Sequence, residues 1–397
     1  MTGLTAAQLQ ARAASLTVGN DGEAWILGRP DLGIFVAVPE PGAVFVTTLQ
    51  QTGSVADATS RASQAAGEPV NGEGFIDGLA AAGLFEPVPG ADTPGRVRWI
   101  EGVSPRAASR LFGRTAWSCY LLAVVTALAV LLFRPDLRPS WRDAWFLPSP
   151  GLSLLVVLLL TMVLTGLHEA WHWLAGRAIG VPAIFRLSYR GVYVVFETDL
   201  TQIVAVPRNR RHGVYLAGMA IDSVILAAAL CLRLAHPPAV ADSFLALVVL
   251  LQVTRIVWQW AALPLRSDSY ALLANALRCH NLYRATWLTT KARLLRLTPT
   301  ERDELTAMSA RDRGVARWFA LPYVAGLLIM TWVFLTVALP LAISLGQWAW
   351  DRLVTASPAS PGFWEALVIA LYVGAELLLP PLLALRERRL RRGGRLL

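Results

Sequence analysis

The chain has 397 residues, of which 55% are hydrophobic and only 16% are charged. This composition is too apolar for an ordinary soluble enzyme and predicts an integral membrane protein. The three cysteines are far apart and two lie in apolar runs, so they indicate neither a disulfide framework nor a CxxC metal site.

The first 95 residues contain no apolar run long enough to cross a membrane, so we expect a soluble domain over residues 1–95. The stretch EAWILGRPDLGIFVAV has alternating runs at Ala24–Leu27 and Ile34–Val38 around a turn, which predicts a β-hairpin. Three helical segments follow, and the last two open with the N-cap residues Ser54 and Asn71. A hairpin with three helices is typical of a winged helix, so we predict a small winged-helix α+β domain.

Residues 96–114 are predicted to form a linker, and residues 115–397 a polytopic bundle of about six membrane-spanning helices. The predicted fold class is therefore mainly α. A helix needs about 20 apolar residues to cross roughly 30 Å of hydrocarbon. The runs that meet this length are 115–133, 151–176, 213–234, 243–264, 318–345 and 363–385, and the fifth has room for a kink near Pro340.

Arginine and lysine residues are distributed unequally between the two sides of these spans. With the N-terminus placed in the cytoplasm, 27 of them flank the spans on the cytoplasmic side and five on the other side. Because basic residues concentrate on the cytoplasmic side of membrane proteins, we expect both termini in the cytoplasm. The same bias accounts for most of the net charge of +9, so no nucleic-acid partner is predicted.

The second span ends in the sequence HEAWH, which follows an uncharged run. His168 and His172 are four residues apart, so they share one helix face and can bind one ion. Neutral imidazoles suit zinc, which at a catalytic site takes a third protein ligand and a water molecule. Glu169, next to the first histidine, can take a proton from that water. We therefore predict one zinc ion per chain and peptide hydrolysis as the reaction.

The third zinc ligand has two candidates. The longer pattern HExxHxxGxxH is excluded because Ala175 and Ala178 stand at its glycine and its last histidine. Glu197 is one candidate, although its segment alternates like a strand rather than a helix. Asp268 is the better candidate, because the fourth span runs from outside to inside like the second. Its cytoplasmic end is therefore expected at the same membrane depth as HEAWH.

Three further charged residues lie within the apolar runs, namely Asp222, Arg255 and Glu376. Each is costly inside a membrane unless it is paired. Asp222 and Arg255 lie in adjacent spans, so we expect them to form an interior ion pair that serves packing or orients the site.

Residues 151–285 resemble the core of the site-2 proteases, which are zinc intramembrane metalloproteases. The shared features are HExxH at the end of a span, a β-rich segment (SYRGVYVVFETDL), a glycine-containing span (YLAGMAID) and an aspartate at the end of a later span (RSDSY). The resemblance is strongest to bacterial peptide zinc metalloproteases, whose aspartate motif often reads FDGYY followed by NL. This chain has SDSYA and then HNLY, with Ser269 in place of the glycine and Asp222 where the family has asparagine.

This resemblance implies that His168, His172 and Asp268 bind zinc and that Glu169 is the general base. It also implies a multi-pass protein of the bacterial cell membrane, in contact with membrane lipid.

The N-terminal domain resembles the PqqD-like peptide-chaperone domain of pyrroloquinoline-quinone biosynthesis, which is the RiPP recognition element of ribosomally made, post-translationally modified peptides. Domains of this type bind a leader peptide as an added edge strand beside a helix. Together, the two resemblances imply an endopeptidase that removes the leader from a precursor peptide. The implied partners are that precursor and other peptide-modifying enzymes.

Three alternatives remain open at this point. The chain could act in regulated intramembrane proteolysis of a membrane regulator, although such enzymes usually carry a PDZ insert and no outer loop here is long enough for one. It could be a non-catalytic membrane adaptor for peptide export. The N-terminal domain could also be a winged helix with a structural or DNA-binding role.

Overall fold

The computed structural model describes residues 6–21, 24–29, 34–85, 103–181, 183–190, 193–200, 203–204 and 206–392. The chain divides into two compact units. The first contains Met1–Pro105, Gly176–Ile184 and Asp199–His212, and the second contains Arg106–Ala175, Phe185–Thr198 and Gly213–Leu397. The compact unit that holds the N-terminal residues thus takes in two later segments of the chain in addition to residues 1–95.

The N-terminal part of the first unit contains a three-stranded antiparallel sheet in the order β1-β2-β3. The predicted hairpin is confirmed as β2 and β3, and the predicted caps Ser54 and Asn71 accept hydrogen bonds from the backbone N–H groups of Asp57 and Gly74. The first helix and β1 were not predicted. The elements are α1 (Ala6–Ala14), β1 (Thr17–Asn20), β2 (Trp25–Arg29), β3 (Ile34–Val38), α2 (Glu40–Thr52), α3 (Val55–Ala66) and α4 (Gly72–Ala81).

One hydrophobic core holds this small domain together, and Leu27 of β2 packs there with Phe45 and Leu49 of α2. The same core contains a fully buried arginine, Arg29, whose Nη1 donates to the Leu84 carbonyl at 3.1 Å. A winged helix remains a prediction for this domain, since a three-stranded sheet with helices is compatible with several small folds.

Six helical runs within the described residues are long and apolar enough to cross a membrane, which makes the chain a multi-pass membrane protein. Their number and positions agree with the six predicted spans. The first four are α6 (Arg114–Phe133), α7 (Pro150–Ala178), α8 (Arg208–Leu234) and α9 (Ala239–Ala261). The short helix α5 (Pro105–Arg110) precedes them within the predicted linker 96–114, of which residues 96–102 lie outside the described residues.

The fifth run is one long helix that contains a π-helical turn near its middle. It consists of α13 (Ala310–Val333), the π-turn Phe334–Ala338 and α14 (Leu339–Thr355). Pro340 has no N–H to donate and its ring crowds the carbonyl four residues earlier, which accounts for a wider turn here. The sixth run is α15 (Pro361–Arg392), which packs against α14 and α7.

The segments that connect the spans carry the remaining elements. Between α7 and α8, the strands β4 (Ile184–Arg190) and β5 (Tyr193–Asp199) pair in a two-stranded sheet, as the alternating sequence predicts. Between α9 and α13 lie α10 (Asp268–Ala276), α11 (Leu282–Leu294) and α12 (Pro299–Ala307).

An ion-pair cluster within the first unit joins the end of β1 to the start of α8. Asp21, at the end of β1, accepts from Arg208 Nε and Arg211 Nη2 on the first turn of α8, both at 2.6 Å. The Asp21 carboxylate is almost completely buried, so both of its oxygens need the partners that α8 supplies.

Candidate metal centre

The two histidines of HEAWH and Asp268 meet at one point inside the second unit. His168 and His172 lie one turn apart on α7, and both are buried. Their Nε2 atoms are 3.2 Å apart, and Oδ2 of Asp268 lies 3.1 Å from the first and 3.2 Å from the second. One nitrogen from each ring and one carboxylate oxygen therefore form a nearly equilateral triangle.

The other nitrogen of each ring contacts an acceptor, which fixes the tautomer. His168 Nδ1 lies 2.7 Å from Oδ2 of Asp222, and His172 Nδ1 lies 2.8 Å from the carbonyl oxygen of Val214. A carbonyl and a carboxylate can only accept, so each Nδ1 carries the proton. In the neutral rings, both Nε2 atoms then present lone pairs to each other and to Asp268.

Three electron-rich atoms in such close contact call for a cation between them. A tetrahedral zinc site with bonds of about 2.0–2.2 Å separates its ligand atoms by about 3.3 Å, close to the triangle found here. The charge balance of the site also favours a bound cation. Among the described groups of the site there are three carboxylates (Glu169, Asp222 and Asp268) and one guanidinium, that of Arg255. A divalent ion would neutralise this excess of two negative charges.

Gly218 on α8 lies directly against the triangle. A Cβ atom built on this residue would overlap the Nε2 atoms of both His168 and His172. Only glycine therefore lets the α8 backbone approach the two ligand atoms this closely. The space that the missing side chain leaves open is on the side of the nitrogens that would bind an ion.

The end of α9 and the start of α10 hold Asp268 in place. Gln259 binds it twice: Nε2 donates to Oδ2 at 2.9 Å, and Oε1 accepts from the Asp268 backbone N–H at 3.2 Å. Ser267 caps α10 and donates its hydroxyl to the Gln259 carbonyl at 2.7 Å. The preceding Arg266 adopts a left-handed backbone conformation with φ of 58°, and its guanidinium lies 4.1 Å from the centre of the Tyr283 ring.

Burial by itself would raise the pKa of the Asp268 carboxyl group, but the charge of His172 and His168 when these rings are protonated, together with their hydrogen bonds, holds that pKa well below its usual range. An ionised carboxylate is the form that binds a metal.

Asp222 links the site to the surrounding helices. It is fully buried, and its Oδ1 lies 3.9 Å from Arg255 Nε and 3.4 Å from Gln252 Nε2 on α9. Arg255 also donates to the Thr165 hydroxyl at 2.8 Å on α7. The expected Asp222–Arg255 pair is therefore present, and Asp222 also contacts His168 directly.

Glu169 lies beside the triangle without belonging to it. Its Oε2 accepts from the Thr198 backbone N–H of β5 at 2.7 Å, and the Thr198 hydroxyl donates to the Glu169 carbonyl at 3.0 Å. The strand β5 thus positions this carboxylate. Glu197, the alternative third ligand, is the neighbouring residue on β5, and its side chain lies outside the part of the structure that is described.

Three residues of the site were not predicted from the sequence: Val214, Gln259 and Thr198. Gly218 is the glycine of YLAGMAID, which is part of the resemblance but was given no role in the site. Gln259 gave a signal, because an amide interrupts the apolar run of the fourth span. Val214 contributes a backbone carbonyl and Thr198 mainly a backbone N–H, so the identity of their side chains carries no information about the contact.

Comparisons of the chain with protein-family models, with curated proteins and with solved structures gave no match.

Proposed function

We propose that this chain is a zinc-dependent, membrane-embedded endopeptidase that removes the leader from a precursor peptide. The observation that carries the proposal is the triangle of His168, His172 and Asp268, with Gly218 leaving room beside it. In this proposal these three side chains hold one zinc ion. A zinc ion bound there would polarise the scissile carbonyl and lower the pKa of a water molecule.

Glu169 is the general base in this proposal. Its Oε2 is held by Thr198, so we assign Oε1 as the atom that takes a proton from the attacking water. The same oxygen then passes the proton to the nitrogen of the leaving amine as the peptide bond breaks. Glu169 lies on α7 between His168 and His172, so one helix would supply two zinc ligands and the base.

The substrate would approach as an extended peptide. The two-stranded sheet of β4 and β5 lies next to Glu169 through Thr198, and an extended backbone can add to such a sheet as a further strand. The N-terminal domain would hold the leader and thereby raise the effective concentration of the cleavage site near the metal. The proposed location is the bacterial cell membrane with both termini in the cytoplasm.

The first test is the zinc content of the purified protein. We expect about one zinc ion per chain for the wild type and for the control Asp303→Ala, which changes an exposed aspartate of α12. His168→Ala and Asp268→Ala should lose the metal. A folded wild type without zinc would contradict the proposal and favour a membrane adaptor, whereas loss in His168→Ala alone would show that Asp268 is not a ligand.

The second test concerns the base. Glu169→Gln should retain zinc and cleave a precursor peptide about 10²–10⁴ times more slowly, because general-base assistance is removed while the ligands remain. Cleavage at the wild-type rate by this variant would refute the assigned mechanism, even if zinc is bound.

A further inference from the structure

The segment between α9 and α13 contains α11, which packs along the beginning of α13. Leu282 of α11 shares a buried cluster with Phe319 and Tyr323 of α13. Nearer its other end, Arg293 Nη2 donates to the Arg317 carbonyl at 2.9 Å. The whole length of α11 is therefore fixed against the first turns of α13.

This packing defines the level at which α11 lies. The apolar run of α13 begins at about Trp318, and both Phe319 and Tyr323 lie inside that run. Because Leu282 packs in one cluster with both, α11 begins at the level where the apolar run of a candidate membrane-spanning helix begins.

The outward side of α11 carries exposed apolar residues. Ala285 and Leu288 are fully buried, whereas Trp287 and Leu294, which lie on the opposite side of the helix, are 42% and 73% exposed. Leu295 and Trp318 are also exposed, by 67% and 53%. We call these four residues, Trp287, Leu294, Leu295 and Trp318, the α11 patch.

The patch forms one surface with the lipid-facing side of α13. Leu294 and Trp318 are the immediate neighbours of Arg293 and Arg317, which are hydrogen-bonded to each other. One turn further along α13, Leu321 is 76% exposed inside a membrane-spanning helix. Exposed apolar residues thus occur at Trp318 and Leu321, one turn apart on α13, and beside the Arg293–Arg317 hydrogen bond on α11.

Charge distinguishes this surface from an ordinary protein-binding patch. The acidic residues of α12 contact other basic groups of α11, since Glu304 binds Arg284 at 2.7 Å and Glu301 binds Lys291 at 2.6 Å. The basic residues that border the patch are exposed: Arg293, Arg296 and Arg317. Tryptophan and leucine beside exposed arginine is the composition of helices that lie in the headgroup region of anionic membranes.

We propose that α11 is an interfacial helix that inserts the α11 patch into the lipid leaflet around the start of α13, with its bordering arginines on anionic lipid phosphates. The helix also supports the site: Tyr283 in its first turn contacts Arg266 and packs 6.2 Å from Tyr270 between ring centres. In this proposal the bilayer positions α11, and α11 in turn packs against Arg266 in the turn before Asp268. This proposal does not depend on the chain being a protease.

A spin-label experiment on the full chain in nanodiscs that contain phosphatidylglycerol tests the proposal. The label is placed at Leu294→Cys after Cys119, Cys231 and Cys279 have been replaced by alanine. The matched controls are Leu321→Cys for lipid and Ala307→Cys, on the exposed side of α12, for water. We expect the ratio of oxygen to nickel-chelate accessibility at 294 to equal that at 321 and to exceed that at 307 several-fold.

Two results would overturn the proposal. A ratio at 294 that equals the ratio at 307 would place α11 in water, and protection from both reagents would mean that protein covers the patch. Because Cys279 is buried, its replacement could disturb the fold, so a second measurement keeps all native cysteines. A photo-crosslinking amino acid at Trp287 should give adducts with the mass of one phospholipid, and adducts with protein alone would refute the proposal.

Discussion

Gly218 is the residue that leaves space beside the candidate metal ligands His168 and His172. Glycine inside a helix is destabilising by about 1 kcal/mol relative to alanine, so its presence in the middle of α8 needs a reason. The reason is the close approach of the α8 backbone to Nε2 of His168 and His172, where a methyl group has no space. Gly374 on α15 provides the contrast, because a Cβ atom there meets nothing within 4 Å.

We predict that Gly218→Ala abolishes zinc binding, because the added methyl group must displace the imidazoles or occupy the place of the ion. Gly374→Ala is the matched control and should bind about one zinc ion per chain with unchanged or slightly higher thermal stability. Zinc content by mass spectrometry and the unfolding temperature in detergent check both expectations. Wild-type zinc affinity in Gly218→Ala would show that the ion does not sit beside Nε2 of the two histidines.

At the scale of elements, the site lies where helices from different parts of the chain meet. Asp222 of α8 contacts His168 on α7 and Arg255 on α9, so one buried carboxylate joins three helices. A partner that accepts from the distal nitrogen of a metal-binding histidine fixes the ring orientation and strengthens the ligand. Asp222 carries the negative charge that Arg255 needs opposite it.

We predict that Asp222→Asn raises the dissociation constant for zinc by about 10–100-fold, because the amide can still accept from Nδ1 but no longer carries the negative charge. Asp242→Asn is the control, since Asp242 pairs with Arg233 at 2.9 Å away from the site. Competition with a chromophoric chelator measures both constants. If the two variants bind zinc equally well, Asp222 serves helix packing alone.

The element predictions succeeded where periodicity carried the information. The six apolar runs and the β2–β3 hairpin could be predicted because burial on one face or in lipid imposes a repeating pattern. The strand β1 and the helix α1 were missed because each is short, and β1 contains Gly19 and Asn20, which weaken a strand signal. The extension of α13 through a π-turn into α14 was not specified, because Pro340 is compatible with either a break or a wider turn.

At the scale of the whole molecule, the arginine bias predicts the orientation of the spans. It places the ends of α7 and α9 on one side, and these are the ends that carry His172 and lead to Asp268. The contact between these residues requires both ends to lie at the same depth. The depth argument and the geometry of the triangle thus support the same arrangement of the bundle.

We predict that a cysteine at Ala359, between α14 and α15, reacts with a membrane-impermeant maleimide in intact cells. A cysteine at Ala307, on α12, should react only after permeabilisation, because the basic residues flanking it favour the cytoplasmic side. Both positions are exposed, and the background lacks the three native cysteines. The opposite labelling pattern would show that the topology is inverted.

The sequence by itself determined the membrane class, the number of spans and the pair of histidines with its glutamate. These features are local: hydropathy depends on composition, and the spacing of HEAWH places its histidines on one helix face whatever the rest of the chain does. Asp268 could be selected as a candidate because span direction limits depth, but no local pattern brings it to the histidines.

Only the tertiary structure decided the contacts that make the triangle a candidate metal site. The carbonyl of Val214, the open space at Gly218, the two hydrogen bonds from Gln259 and the carboxylate of Asp222 all come from helices distant from α7 in sequence. Their positions depend on how α7, α8 and α9 pack, and packing is a property of surfaces in three dimensions. A sequence pattern with a period of 3.6 residues identifies the face of a helix that is buried, but it does not identify the helix that packs against that face.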